Sequence, residues 1–220
     1  MGSMNSSSTD KIREKKRQFL AREQRIIDKA LQCLLRAGID QVTVAAIADE
    51  AGIGKGTVYK HFQSKSEILA RILLDYENRI RVNMDQGIAA AEAGNPGAMV
   101  KAYFHSRLSN PELDRLVQQL EERIQDDPLV AEQIAELHAM RRATTERIGV
   151  MVQQLIERGV LEEVPPHYHY LACWALAQGA VDVCFNKGFA DQFSDKEDLL
   201  RFITGIGVTM GNKGQLRGAD

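Results

Sequence analysis

Between positions 43 and 62 the apolar residues follow helical spacing twice, and a glycine separates the two runs. Val44, Ile47, Ala48 and Ala51 stand at i, i+3, i+4 and i+7, one stripe of a short helix for which Thr43 is the cap. Gly52 ends that helix, because a terminal left-handed residue costs glycine no steric energy, and Ile53 tucks a branched side chain under the turn. A second helix is predicted over residues 55–62. At about 100° per residue, Val58 and Phe62 point one way, Gly56, Thr57, Lys60 and His61 the other, and Tyr59 lies on the margin. Ser64 and Glu67 then make an S-x-x-E capping box that opens the next helix, with Lys65 in its first turn.

Upstream, Ile26, Ile27, Ala30, Leu31 and Leu34 form the stripe of a first helix over residues 19–37. Downstream, proline and glycine punctuate a series of helical stretches, and β-branched residues show no sustained alternation. Helices are predicted over 64–91, 98–108, 112–125, 128–158, 166–187 and 194–210; a capping box of Ser194 and Glu197 starts the last of them. The fold class is therefore all-α with about nine helices. Residues 1–18 are read as a flexible polar and basic extension that includes an expression scar at Met1-Gly2-Ser3. Residues 19–66 form a three-helix head, and residues 67–220 a helical body. Within the extension, Lys11, Arg13, Lys15, Lys16 and Arg17 form either an arm that lies along phosphates or enters a minor groove, or an exposed prolongation of the first helix, and the prolongation is preferred.

With 220 residues, 44% of them apolar and 26% charged, the chain is able to bury a full core. Its net charge of −2 conceals an asymmetry: residues 1–65 carry 12 Lys and Arg against 7 Asp and Glu, and the remainder carries 16 against 23. A basic head suits a polyanion, and an acidic body discourages nonspecific adhesion. No stretch approaches the about 18 apolar residues that a membrane span requires, so no membrane partner and a cytoplasmic location are expected. Cys173 and Cys184 lie eleven apart on one predicted helix, about 16 Å along its axis and beyond disulfide reach. With Cys33, they read as small buried hydrophobes.

The outward face of the second short helix carries a hydroxyl, an ammonium and an imidazole, with a phenol beside them. These groups can bond phosphate oxygens and base edges from a helix that fits the major groove. The spacing of Thr43, Ile47-Ala48, Ala51-Gly52-Ile53, Lys55-Gly56-Thr57-Val58-Tyr59, His61-Phe62 and Ser64-Lys65 resembles the DNA-binding domain of the tetracycline-repressor (TetR) family. The resemblance covers residues 20 to 70; Gly54 departs from it, standing where the family often has a capping serine or threonine. It implies a homodimeric, ligand-responsive transcriptional regulator, most often a repressor, that leaves a palindromic double-stranded operator when a small apolar or amphipathic effector binds. Thr43, Lys55, Gly56, Thr57, Tyr59 and Lys65 are then expected at phosphates, and Lys60 and His61 at base edges.

In the body, candidate effector-pocket residues are Tyr103, Phe104, Leu108, Leu116, Leu120, Leu137, Met140, Met151 and Trp174. The dimer seam implied by the resemblance falls on the final two helices, with Ala175, Gly179, Leu199, Phe202, Ile203, Ile206 and Met210 as its candidates. His167, His169 and Cys173 have no second ligand cluster, so neither metal nor cofactor is expected. The Gly-rich run 52–57 is not a Walker loop, because Gly56 follows Lys55 where a serine or threonine is required. Neither a G-x-S-x-G elbow nor an H-E-x-x-H motif occurs, so an enzyme is not expected. The alternative reading is a helical sensor or adaptor that binds no DNA.

Overall fold

The computed structural model describes residues 5–214, with side-chain surroundings from residue 10 onward. Among these residues there are nine α-helices: α1 (Asn5–Ala37), α2 (Val44–Ala51), α3 (Lys55–Val58), α4 (Lys65–Glu92), α5 (Ala98–Leu108), α6 (Pro111–Ile124), α7 (Ala131–Glu157), α8 (Pro166–Phe185) and α9 (Lys196–Thr209). They divide into two compact units. The first comprises the residues up to Ile72 together with Leu120–Ala131; the second comprises Leu73–Gln119 and the residues from Glu132 onward.

In the first unit, α1 packs on α2 and α2 on α3, burying Ile26, Ile27, Ala30, Leu34, Ile47, Ala48, Ala51 and Val58. Helix α1 starts well before the apolar stripe: it takes in residues 11–17 as the preferred prolongation, and residues 5–10 ahead of them, which the sequence pattern marks as flexible. No glycine or proline interrupts residues 5–37, and Glu14 accepts hydrogen bonds from Arg17 and Gln18 one turn on, so the polar sequence sustains a helix. Residues 1–4, with the Met1-Gly2-Ser3 stretch read as a scar, lie outside the described residues.

In the second unit, the core gathers Met84, Ile88, Phe104, Leu108, Ile148, Met151, Val152, Leu155, Ala177, Val181 and Leu200. Helix α5 packs on both α8 and α9. Gly207 allows α9 to approach closely, because a Cβ there would run into the Phe104 ring. Asp195 caps α9 through the Glu197 amide, one residue later than the predicted Ser194 box. A 3-10 turn at Pro128–Val130 precedes α7. Among the described residues, no helix is long and apolar enough to cross a membrane.

Candidate functional site

The head is built from locally determined parts. The Thr43 side chain accepts a hydrogen bond from the Ala46 amide and starts α2. Gly52 ends it at φ 65°, donating to the carbonyls of Ala48 and Asp49, and the Ile53 amide also reaches Ala48. Gly54 caps α3 without a side-chain hydrogen bond. The Ser64 hydroxyl accepts from the Glu67 amide at 3.1 Å, while the Glu67 carboxylate accepts from the Gln63 amide at 2.5 Å, closing the capping box one residue early.

Helix α3 is shorter than the predicted 55–62. After Val58 the bonds tighten, with the Lys60 amide donating to Thr57 and the His61 amide to Val58, before Phe62 returns to the buried side. Lys55, Gly56, Tyr59 and Lys60 remain exposed and Thr57 is half-buried. The Lys55 ammonium stands 5.9 Å from the centre of the Tyr59 ring, so cation and phenol share one patch. A Cβ at Gly56 would meet nothing within 4 Å, so the chain's own packing does not require glycine there.

Two sequence expectations need correction. His61 points inward: its side chain is only 2% exposed and its ring lies 4.1 Å from that of Phe19 on α1. The tightened turn advances the ring by more than α-helical geometry provides, and turns it toward α1 instead of outward. Burial lowers the His61 pKa, opposed by Glu23 and reinforced by Arg22, and Nδ1 has no hydrogen-bond partner among the described residues. Lys65 is drawn in too. Its Nζ donates to the Ile39 carbonyl at 2.6 Å, tying the start of α4 to the end of the α1 segment, and burial lowers its pKa.

Sequence reasoning overlooked Arg22 and Arg25 on α1, which with Gln18 and Ile53 line a shallow cleft beside the turn that leads into α3. A polar stripe at positions 18, 22 and 25 of α1 was the available signal.

The second unit contains a cavity of about 370 Å³, lined by residues of α4, α5, α7, α8 and α9 and by the segments 159–161 and 208–213. Of the nine candidate pocket residues only Tyr103 lines it. Phe104, Leu108, Leu116, Leu120, Leu137 and Met151 are buried core, Met140 is half-buried, and Trp174 is 46% exposed. Helical periodicity identifies a buried face, whereas a cavity wall depends on where distant segments meet.

Tyr103 also belongs to a buried polar cluster. Its hydroxyl accepts from Arg107 Nη1 at 3.1 Å; Arg107 Nε and Nη2 donate to Asp114 at 2.5 and 2.9 Å, and Asp114 accepts from the Tyr76 hydroxyl on α4. Gln178 on α8 accepts from Arg107 and donates to Gln118. Burial alone would lower the Arg107 pKa, but the bond to Asp114 and the neighbouring phenol outweigh it and hold the pKa high. Burial raises the Tyr103 phenol, and raises the Cys173 thiol on the cavity wall to about 11.

Of the candidate seam residues, Ala175, Gly179, Phe202 and Ile206 are exposed, and Leu199 and Ile203 are half-buried. Met210, half-buried where the chain leaves α9, lines the cavity. A Cβ at Gly179 or Gly205 would meet nothing within 4 Å.

A capped helix, a left-handed glycine and a short second helix with an exposed cationic and phenolic patch define a helix-turn-helix DNA-binding protein. The sequence model described as "Bacterial regulatory proteins, tetR family" matches residues 26–72. The HTH-type transcriptional regulator SrpR of Pseudomonas putida is 34% identical over 98 residues, 44% of this chain and 46% of SrpR. The uncharacterized HTH-type transcriptional regulator TtgW, from a strain of the same organism, is also 34% identical over 98 residues, covering 44% of this chain and 72% of TtgW. The chain thus spans about half the length of SrpR and most of TtgW. The TetR family regulator PfmR of Thermus thermophilus shares the fold, with a TM-score of 0.65 over 83% of this chain and 96% of PfmR at 19% identity. The chain belongs to the TetR family of DNA-binding transcriptional regulators, a family of regulators and not of enzymes.

Proposed function

We propose that the chain acts in the cytoplasm as a homodimeric repressor that leaves a near-palindromic operator when a small apolar or amphipathic effector fills the cavity of the second unit. The carrying observation is the exposed patch of Lys55, Gly56, Tyr59 and Lys60 on and after α3. Lys60 is the base-edge reader; Thr43, Lys55, Thr57 and Tyr59 hold phosphates, and Gly56 leaves the backbone open to one. Arg22 and Arg25 extend the positive surface along α1. His61 serves as a packing residue, and Lys65 as a brace.

The exposed apolar face of α8 and α9, with Trp174, Phe202 and Ile206, supports pairing with a second copy. A lone α3 of four residues spans too few base pairs to be selective, and a dimer supplies two. Coupling runs through Tyr103: a ligand that takes its hydroxyl disturbs Arg107 and Asp114, and through Asp114 the Tyr76 bond on α4. The effector favours the state in which α4 has shifted, weakening operator binding by its differential affinity, about 1–3 kcal/mol.

Binding to duplex DNA across a salt series tests the reading. If about six phosphates are neutralised per dimer, log K against log salt has a slope of about −5. A slope near zero, or no binding to any duplex in dilute buffer, contradicts it and favours a sensor that binds no DNA.

A further inference from the structure

We infer that the cavity of the second unit selects an amphiphilic monocarboxylate, with its head at Lys213 and its alkyl body against the apolar wall. This rests on reading the cavity as the effector site.

The wall is apolar over most of its extent, with Met84, Ile148, Val152, Leu155 and Val208 among its residues. Among the described residues, Lys213 is the one on the wall with a permanent charge, and no Asp or Glu lines the cavity. A cationic amphiphile would lose hydration there with no carboxylate to replace it, and a neutral one would leave the ammonium unused. An anionic head gains the ammonium, with His169, Tyr103 and Tyr170 as further polar groups on the wall.

The backbone of Lys213 is held in place by the chain that follows α9, and its side chain remains exposed. Gly211 turns at φ 79°, its carbonyl accepts from the Glu162 amide at 2.9 Å, and the Lys213 amide donates to the Val160 carbonyl at 3.0 Å. Asn212 thereby pairs with Leu161 as an isolated antiparallel bridge, and the Glu162 carboxylate accepts from the Gly214 amide. Lys213 Nζ lies 3.6 Å from the Cβ that Gly159 lacks, against the cavity wall. The same clip fixes His169. Its Nε2 is 3.0 Å from the Glu162 carbonyl, which can only accept, so Nε2 carries the hydrogen; Nδ1 packs beside Gly211, where a Cβ would approach to 2.6 Å. Folding of the clip thus brings cation and imidazole to the cavity together.

The test is calorimetric titration of the full chain, stripped of carried-over lipid, with decanoate, decanol and decylammonium below their micellar concentrations. Decanoate binds at least about tenfold more tightly than decanol, and decylammonium binds most weakly. Lys213→Met brings decanoate to within about threefold of decanol and leaves decanol unchanged. Lys196→Met, which removes an ammonium outside the cavity, changes neither, and Val152→Trp abolishes binding of all three. Equal affinity for the three probes, absence of binding, or a preference that survives Lys213→Met overturns the inference. Operator affinity measured on the same samples fails separately. Charge-selective binding with unmoved operator affinity sinks the ligand-responsive reading and leaves the head-group assignment standing.

Discussion

His61 shows how far a single side chain escapes prediction by spacing. Its neighbours Val58 and Phe62 fall where 100° per residue puts them, yet the tightened turn after Val58 rotates the imidazole onto Phe19, a residue far away in sequence. This placement makes stability depend on pH. The folded pKa lies below the unfolded value of about 6.5, so the unfolded chain binds more protons, and stability is lost as pH falls from there through the folded pKa. His61→Phe is expected to flatten the drop in urea midpoint between pH 7.5 and 5; an unchanged drop would show that the slope comes from other groups. Lysines separate in the same way. Lys60→Ala is expected to cost about 1–3 kcal/mol of operator affinity and to relax preference at one base pair, read by mobility shift on mismatched duplexes. Lys65→Met should instead lower stability by about 1 kcal/mol through the lost bond to Ile39 and leave the salt slope unchanged.

At the scale of elements, the legible parts were those fixed within one turn of chain. Thr43 at its cap, Gly52 in the left-handed region and Ser64 with Glu67 all satisfy helix-end groups three or four residues away, and such chemistry is local. The cavity was not legible, because its wall forms where segment 159–161 meets segment 208–213, and no periodicity encodes that meeting. The buried cluster was equally hidden: nothing in the sequence pairs Arg107 with Asp114 until α5 and α6 bring them together. Tyr103→Phe tests whether this cluster carries the signal. It removes the hydroxyl between the cavity and Arg107, and should reduce the effector's influence on operator affinity by about 0.5–2 kcal/mol while effector binding persists. Full coupling in the variant would place the route elsewhere.

For the whole molecule, the charge asymmetry and the helical punctuation suggested a basic head and an acidic all-α body, and the described residues are all-α. Symmetry is the remaining step. Phe202, 67% exposed, and Ile206 lie on an α9 face that the described residues leave uncovered. Phe202→Asp, which puts a charge at the proposed seam, is expected to raise the dimer dissociation constant by about 100-fold or more in sedimentation equilibrium, with a matching loss of operator affinity. An unaffected dimer would move the seam to another face. The proposed operator recognition requires two α3 helices to reach DNA together, so the most direct test is selection of bound duplexes from a random library by the full chain. The predicted result is an inverted repeat whose half-site centres lie about one helical turn apart, about 34–36 Å; enrichment of a single asymmetric half-site, or of no sequence at all, would contradict it.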